Sequence, residues 1–233
     1  MKLITLIVSL LAFSTTSMAQ ANLQEMYDFK REHPTTTLEM FKDDKWGSSF
    51  FFVDIYHPSD NNYLPGEFYT EISRAINFWQ GSKLGVLSAH AEWNGGQYSA
   101  NAWLFGAEYF LHNAEFSQTL TLQVLYKNIR GGSSNVPVQF TAVWNVDDIF
   151  NVKGLSFSGF ADFWWEDVVW NQDDETSTVF MTEPQIWYNL GRHFSCENLH
   201  IGGEIEICSN FAGGIDFKKG WQFNPCLGIK WTF

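Results

Sequence analysis

Cysteine, positive charge, long apolar runs and metal-binding spacings are all scarce in this 233-residue chain, and each shortage excludes something. The three cysteines, Cys196, Cys208 and Cys226, cannot form a disulfide scaffold, because an odd count leaves at least one thiol unpaired. Cys208 and Cys226 share the polar face of the last hairpin, where a bridge closes only if the strands set them opposite one another. Lysine and arginine number 14 against 26 acids. The resulting formal charge of -12 repels nucleic-acid backbones, so no nucleic-acid partner is expected. After the first nineteen residues no apolar run reaches the ~18 residues that a membrane helix needs. The six histidines show no zinc spacing. Asp173, Asp174 and Glu175 match no calcium loop, and the Gly-Gly pairs lack the strand-to-helix setting of a phosphate cradle. No metal and no cofactor are therefore predicted. Ser88 with His90, and His193 with Ser195, are two-residue spacings common in strands and lack a third partner. No catalytic site is predicted, and the chain does not read as an enzyme.

What the chain has in abundance is aromatic residues. They make up 18% of it, with 22 Phe and 11 Trp, yet mean hydropathy is only -0.17, so apolar residues are dispersed among polar ones. The last thirteen residues show the pattern. Trp221, Phe223, Leu227, Ile229, Trp231 and Phe233 alternate with Gln222, Asn224, Cys226, Gly228, Lys230 and Thr232. That period of two is a strand with one apolar face, and lipid covers such a face where nothing else follows. The alternation recurs in twelve segments: 23–29, 35–41, 48–56, 68–78, 87–94, 101–111, 120–127, 138–145, 155–166, 183–190, 201–207 and 221–233. In the fourth, Arg74 interrupts the apolar face and leaves the register open.

The start of the chain is an address. Met1 and Lys2 precede an apolar stretch over 3–13, and Ser17, Met18 and Ala19 form a small-x-small cleavage site, with no cysteine after it to carry a lipid. The expected organisation is a cleaved signal over 1–19 and one β domain over 20–233. The fold class is all-β, a transmembrane antiparallel up-and-down β-barrel of twelve strands, each near the ~10 residues that cross a bilayer. Localisation is the outer membrane of a Gram-negative bacterium, with the lipid bilayer as first partner. The structural rival is a soluble lipocalin-like barrel. With both ends in the periplasm, the segments 57–66, 128–135, 167–176 and 211–220 become outer loops. The inner connections fall at 43–47, 81–83, 112–115, 147–154 and 191–198.

If one face meets lipid, the alternate residues line the lumen. Asp54, Glu71, Glu92, Glu108, Asp162, Glu183, Glu204 and Glu206 make it acidic, with Lys127 and Lys230 the clearest cations. Such an interior disfavours anions. Phe160, Trp164 and Trp187 lie among Asp162, Glu183 and Gln185, a mixture able to stack on flat rings and to bond hydroxyls or base edges. The same side chains also suit a filled, closed interior. The candidate solute-binding residues are Asp54, Glu71, Glu92, Phe160, Asp162, Trp164, Glu183, Gln185 and Trp187.

Several stretches resemble a known family: LEMFKDDKWGSSFFFVD over 38–54, EISR over 71–74, LSFSGFADFW over 155–164, EPQIWYN over 183–189 and the terminal GIKWTF. They are similar to an uncharacterised outer-membrane family of Bacteroidota, itself similar to the Tsx-like nucleoside-specific channels. The resemblance spans the chain after the signal. It implies a flattened twelve-stranded barrel with a narrow path for nucleosides and related small solutes, lined by Asp54, Glu71, Phe160, Asp162, Glu183 and Trp187. It also implies that the C-terminal strand, ending on Phe233, is read by the outer-membrane barrel assembly machinery. Short loops and many tryptophans depart from the better-known channels. Two other functions stand beside diffusion of a small solute: a closed structural or surface-interaction barrel, and a membrane-embedded lipid hydrolase.

Overall fold

A computed structural model of the chain describes residues 20–57, 67–97, 99–171, 174–212 and 218–233. The expected signal over 1–19 and most of the expected outer loop over 57–66 lie outside the described residues. The strands are β1 (Gln20–Asp28), β2 (His33–Asp44), β3 (Gly47–Tyr56), β4 (Glu67–Ile76), β5 (Leu87–Gly96) and β6 (Ala102–His112). They continue with β7 (Gln118–Ile129), β8 (Val138–Val146), β9 (Leu155–Asn171), β10 in two segments (Asp174–Thr182 and Gln185–Asn189), β11 (Leu199–Ser209) and β12 (Trp221–Thr232). Each pairs antiparallel with the next, and β12 returns to β1 with Leu23 opposite Trp231 and Tyr27 opposite Leu227. The sheet is therefore a closed antiparallel barrel of twelve strands among the described residues.

Pro184 explains why β10 comes in two pieces. It has no N–H to give the ladder. Both segments nevertheless keep one register: Thr182 faces Ala161 and Ile207, and Gln185 faces Ser158 and Glu204. Two boundaries differ from the sequence expectation. The tenth strand begins at Asp174 instead of Glu183, and β9 runs on to Asn171, so the expected loop over 167–176 is mostly hairpin. The added stretch is rich in threonine and has no apolar alternation, yet Thr176 and Thr178 are β-branched and pair with Val168 and Trp165 across a register shift. The connection after β4 covers 77–86 and not just 81–83, held by backbone bonds from Ser82 to Trp79 and from Gly85 to Ser82.

The distribution of side chains is that of a soluble protein turned inside out. Leu227 is 61% exposed, Ile72 54% and Trp103 51%, while on the inner face Gln24 is 2% exposed and Asn224 0%. Apolar atoms face outward where lipid covers them, and polar groups satisfy each other within. Arg74 sits on the outward face near the β2–β3 turn, where it donates to Ser49 Oγ at 2.9 Å and Asp44 Oδ1 at 2.8 Å. It reaches the rim and does not break the pattern. Cys208 pairs with Gln222 and Cys226 with Glu204, so the two thiols are not opposite one another and all three cysteines are free.

Candidate functional site in the lumen

Strand parity is continuous around the barrel. Gln24 faces Thr37, Thr37 faces Asp54, Asp54 faces Tyr69, Glu71 faces Asn94, Glu92 faces Leu104, and Leu104 faces Lys127. The row passes on through Leu125–Gln139, Thr141–Asp162, Gln185–Glu204 and Glu204–Cys226. All nine candidate residues lie on this inner face. Carboxylates from β4, β9, β10 and β11 fall near the middle of their strands, and Asp54 stands two residues from the end of β3, together forming a belt around the lumen.

Most of that belt is held by neutral donors. Thr37 Oγ1 donates to Asp54 at 2.5 Å, Tyr69 OH to Glu71 at 2.6 Å, Thr141 Oγ1 to Asp162 at 2.5 Å and Gln185 Nε2 to Glu204 at 2.7 Å. The Glu183 carboxylate has no hydrogen-bond or ion-pair partner among the described residues. Glu71, Glu92, Asp162 and Lys127 act on one another electrostatically, as do Asp54, Glu183, Glu204 and Glu206, although their strands lie on different sides of the barrel. Hydroxyls and amides orient these acidic groups without supplying a counter-charge.

Among the described residues, His90, Lys127 and Arg31 are basic side chains set among the acids. His90 lies between Glu108 at 3.0 Å and Glu92 at 3.2 Å, with Gln123 beside it. Both its ring nitrogens are thus engaged by carboxylates, and no base is left to face Ser88. Lys127 Nζ donates to Gln139 at 2.6 Å and stands 3.8 Å from the Trp164 ring centroid. Arg31 is the third. From the β1–β2 turn it reaches inward, bonding Asp28 at 2.7 Å and Glu206 at 2.7 and 3.1 Å, while Asn224 donates to Asp28 at 2.7 Å. Burial opposes its charge, but the charges and hydrogen bonds of Glu206 and Asp28 outweigh that, and its pKa is raised above the ordinary arginine value.

Aromatic faces are of two kinds. Trp164 is packed with Val168 and Val179, is edge-on to Phe211 at 5.7 Å and donates from Nε1 to Glu166 at 3.0 Å. Trp187 is wholly buried and donates from Nε1 to Gln185 at 2.9 Å. Both indoles are thus engaged by the protein itself. Phe160 is half-buried on the inner face. Phe50, Phe52 and Tyr69 add an inner row, with Phe50 and Phe52 at 6.0 Å and Phe52 and Tyr69 at 5.9 Å. Sequence reasoning passed over this row because Phe50, Phe51, Phe52 and Val53 do not alternate, and their faces become readable only through pairing with Glu71 and Tyr69. It also passed over Asp28 and Arg31, for which the three-residue spacing at a hairpin tip was the available signal.

Among solved structures the chain is similar to "KdgM porin", with a TM-score of 0.50, 10% identity, and 93% of this chain and 99% of that one covered. It is equally similar to "KdgM porin in complex with disordered oligogalacturonate", at a TM-score of 0.50, 11% identity and the same coverage. The outer membrane protein Omp33 of Acinetobacter baumannii gives a TM-score of 0.45 at 9% identity, covering 93% and 98%. At 10–11% identity the likeness to the KdgM porin is one of fold alone. No curated protein matches the sequence. The family model described as "Domain of unknown function (DUF5020)" matches residues 20–233, and the chain belongs to that family.

Proposed function

We propose that the barrel is an outer-membrane channel for passive, selective diffusion of small neutral or cationic solutes, with nucleosides the first candidates. The observation that carries this reading is the acidic belt. Asp54, Glu71, Asp162 and Glu204 are bonded by neutral groups and Glu183 by none, so a solute meets acidic groups that no cation pairs, together with the half-buried ring of Phe160. Hydroxyls and ring N–H groups of a nucleoside are suitable donors to such acceptors, and its base offers a face for stacking. An anionic oligosaccharide such as the one named with KdgM does not suit these acids. The similarity to Tsx-like channels and a Bacteroidota origin belong to the same reading. So do export by a cleaved signal over 1–19, a barrel domain over 20–233 and recognition of the Phe233-terminated strand by the assembly machinery. No reaction is assigned.

The test is purified protein in planar bilayers with nucleoside added to one side. A small conductance reduced by adenosine is expected, and Asp162→Ala should weaken the block. No conductance together with no solute uptake into vesicles would overturn the reading. That outcome would favour a closed structural or surface-interaction barrel, for which the fully buried Leu104 and Leu125 already speak.

A further inference from the structure

Trp187 lies against a floor made by two glycines. Its partner on β11 is Gly202, Gly202 faces Gly228 on β12, and Gly228 faces Met26 on β1. A Cβ at Gly202 would meet the indole at 2.8 Å and one at Gly228 would meet Met26 at 2.7 Å. The missing side chains let the ring lie across the wall, packed with Met26 and Cys226. The wall covers one face of the ring. Lys230, the next inner residue of β12 after Gly228, sets its Nζ 4.4 Å from the ring centroid and covers the other.

That ammonium makes no hydrogen bond and no ion pair among the described residues. Beside it is an acceptor in the opposite condition. The Glu39 carboxylate can only accept, so Asn22 turns its Nδ2 toward it at 2.9 Å. Asn22 Oδ1 is then left to accept from Gln24 Nε2 at 2.8 Å. The relay ends on Gln24 Oε1, a buried oxygen with no donor. Gln24 and Lys230 are direct register partners on β1 and β12. Such partners on one face have Cβ atoms about 5 Å apart, well within the reach of a lysine stem.

We infer that Lys230 is a lid with two seats, one on the indole of Trp187 and one on Gln24 Oε1, and that its transfer opens the Trp187 face to a planar solute ring. The orphan acceptor and the unbonded ammonium satisfy each other in the second seat, which limits the cost of uncovering the ring. The solute class is a flat ring carrying hydrogen-bond donors, since Gln185 and Glu204 border the opened face as acceptors. The consequence for solutes rests on the channel reading, whereas the lid itself does not.

The experiment labels the full chain with 5-fluorotryptophan, assigns the Trp187 resonance with Trp187→Phe, and reads its H2O/D2O shift in detergent micelles. The shift should be largest in Lys230→Ala, smallest in Gln24→Leu, which leaves the lysine only the ring, and intermediate in the native chain. Gln24→Met serves as a second variant without the acceptor. A ring still shielded in Lys230→Ala refutes the lid, and equal shifts in the native chain and both Gln24 variants refute the second seat. In bilayers, adenosine block should be about tenfold tighter in Lys230→Ala than in Gln24→Leu, in keeping with the worth of one stacked base. Absence of conductance in every variant counts against the channel reading, and the fluorine shifts still decide the lid.

Discussion

Removing Arg31 strands two carboxylates whose side chains are 4% and 6% exposed, Asp28 and Glu206, of which the Arg31 guanidinium is the ion-pair partner. Loss of one partner from a buried pair is far costlier than loss of the whole pair. Arg31→Ala is expected to cost about 3 kcal/mol, the low end of the buried-pair range because the arginine is itself 24% exposed. Urea unfolding in lipid vesicles measures it, and combining it with Glu206→Gln should recover part of the loss. Arg74→Ala, which removes an outward pair at the rim with Asp44, should leave the unfolding midpoint unchanged. Neither pairing was legible in sequence. A charge at a hairpin tip reads as solvated, and Glu206 lies 175 residues from Arg31, so only the closed topology brings them together. Asp162 and Glu204 were legible, because each lies in a strand whose apolar residues alternate strictly against lipid.

Strand β12 carries its own test of environment. Leu227 stands near its middle on the outward face, 61% exposed. In water an arginine at so exposed a position would be harmless, whereas at the bilayer midplane it is expensive. Leu227→Arg is predicted to cost about 2–4 kcal/mol in vesicle unfolding, and a neutral result would place this face in water. On the opposite face, Gly202→Ala drives a Cβ into Trp187 and the β10 backbone, and a loss of about 1–3 kcal/mol is expected in the same measurement. The strands with strict alternation, such as β6, β7 and β12, were readable at nearly their full length. The first segment of β10 was not. Asp174–Thr182 forms its ladder with β-branched threonines and lacks apolar alternation, so periodicity could not report it, and Pro184 made the strand appear to begin later.

At the scale of the whole molecule, closure is what turns a set of amphipathic strands into a lumen, and closure joins the first strand to the last. Parity alone therefore sorted lining residues from lipid-facing ones. It could not tell which lining groups neutralise each other, because that depends on which side chains the closed barrel brings together: Lys127 turns to Gln139 and Trp164, Lys230 to Trp187, Arg31 to Glu206, and Asp54, Glu71, Asp162, Glu183 and Glu204 keep neutral donors or none. Part of the excess of acids behind the formal charge of -12 thus lies inside the barrel. On the proposed channel reading, a lumen so lined is expected to favour cations over anions. The reversal potential of purified protein in a planar bilayer under a potassium chloride gradient tests this most directly. A small conductance with a reversal potential on the cation-selective side, diminished when Asp162 and Glu183 are replaced by Asn and Gln, is the predicted result; an anion-selective conductance, or none at all, would contradict it.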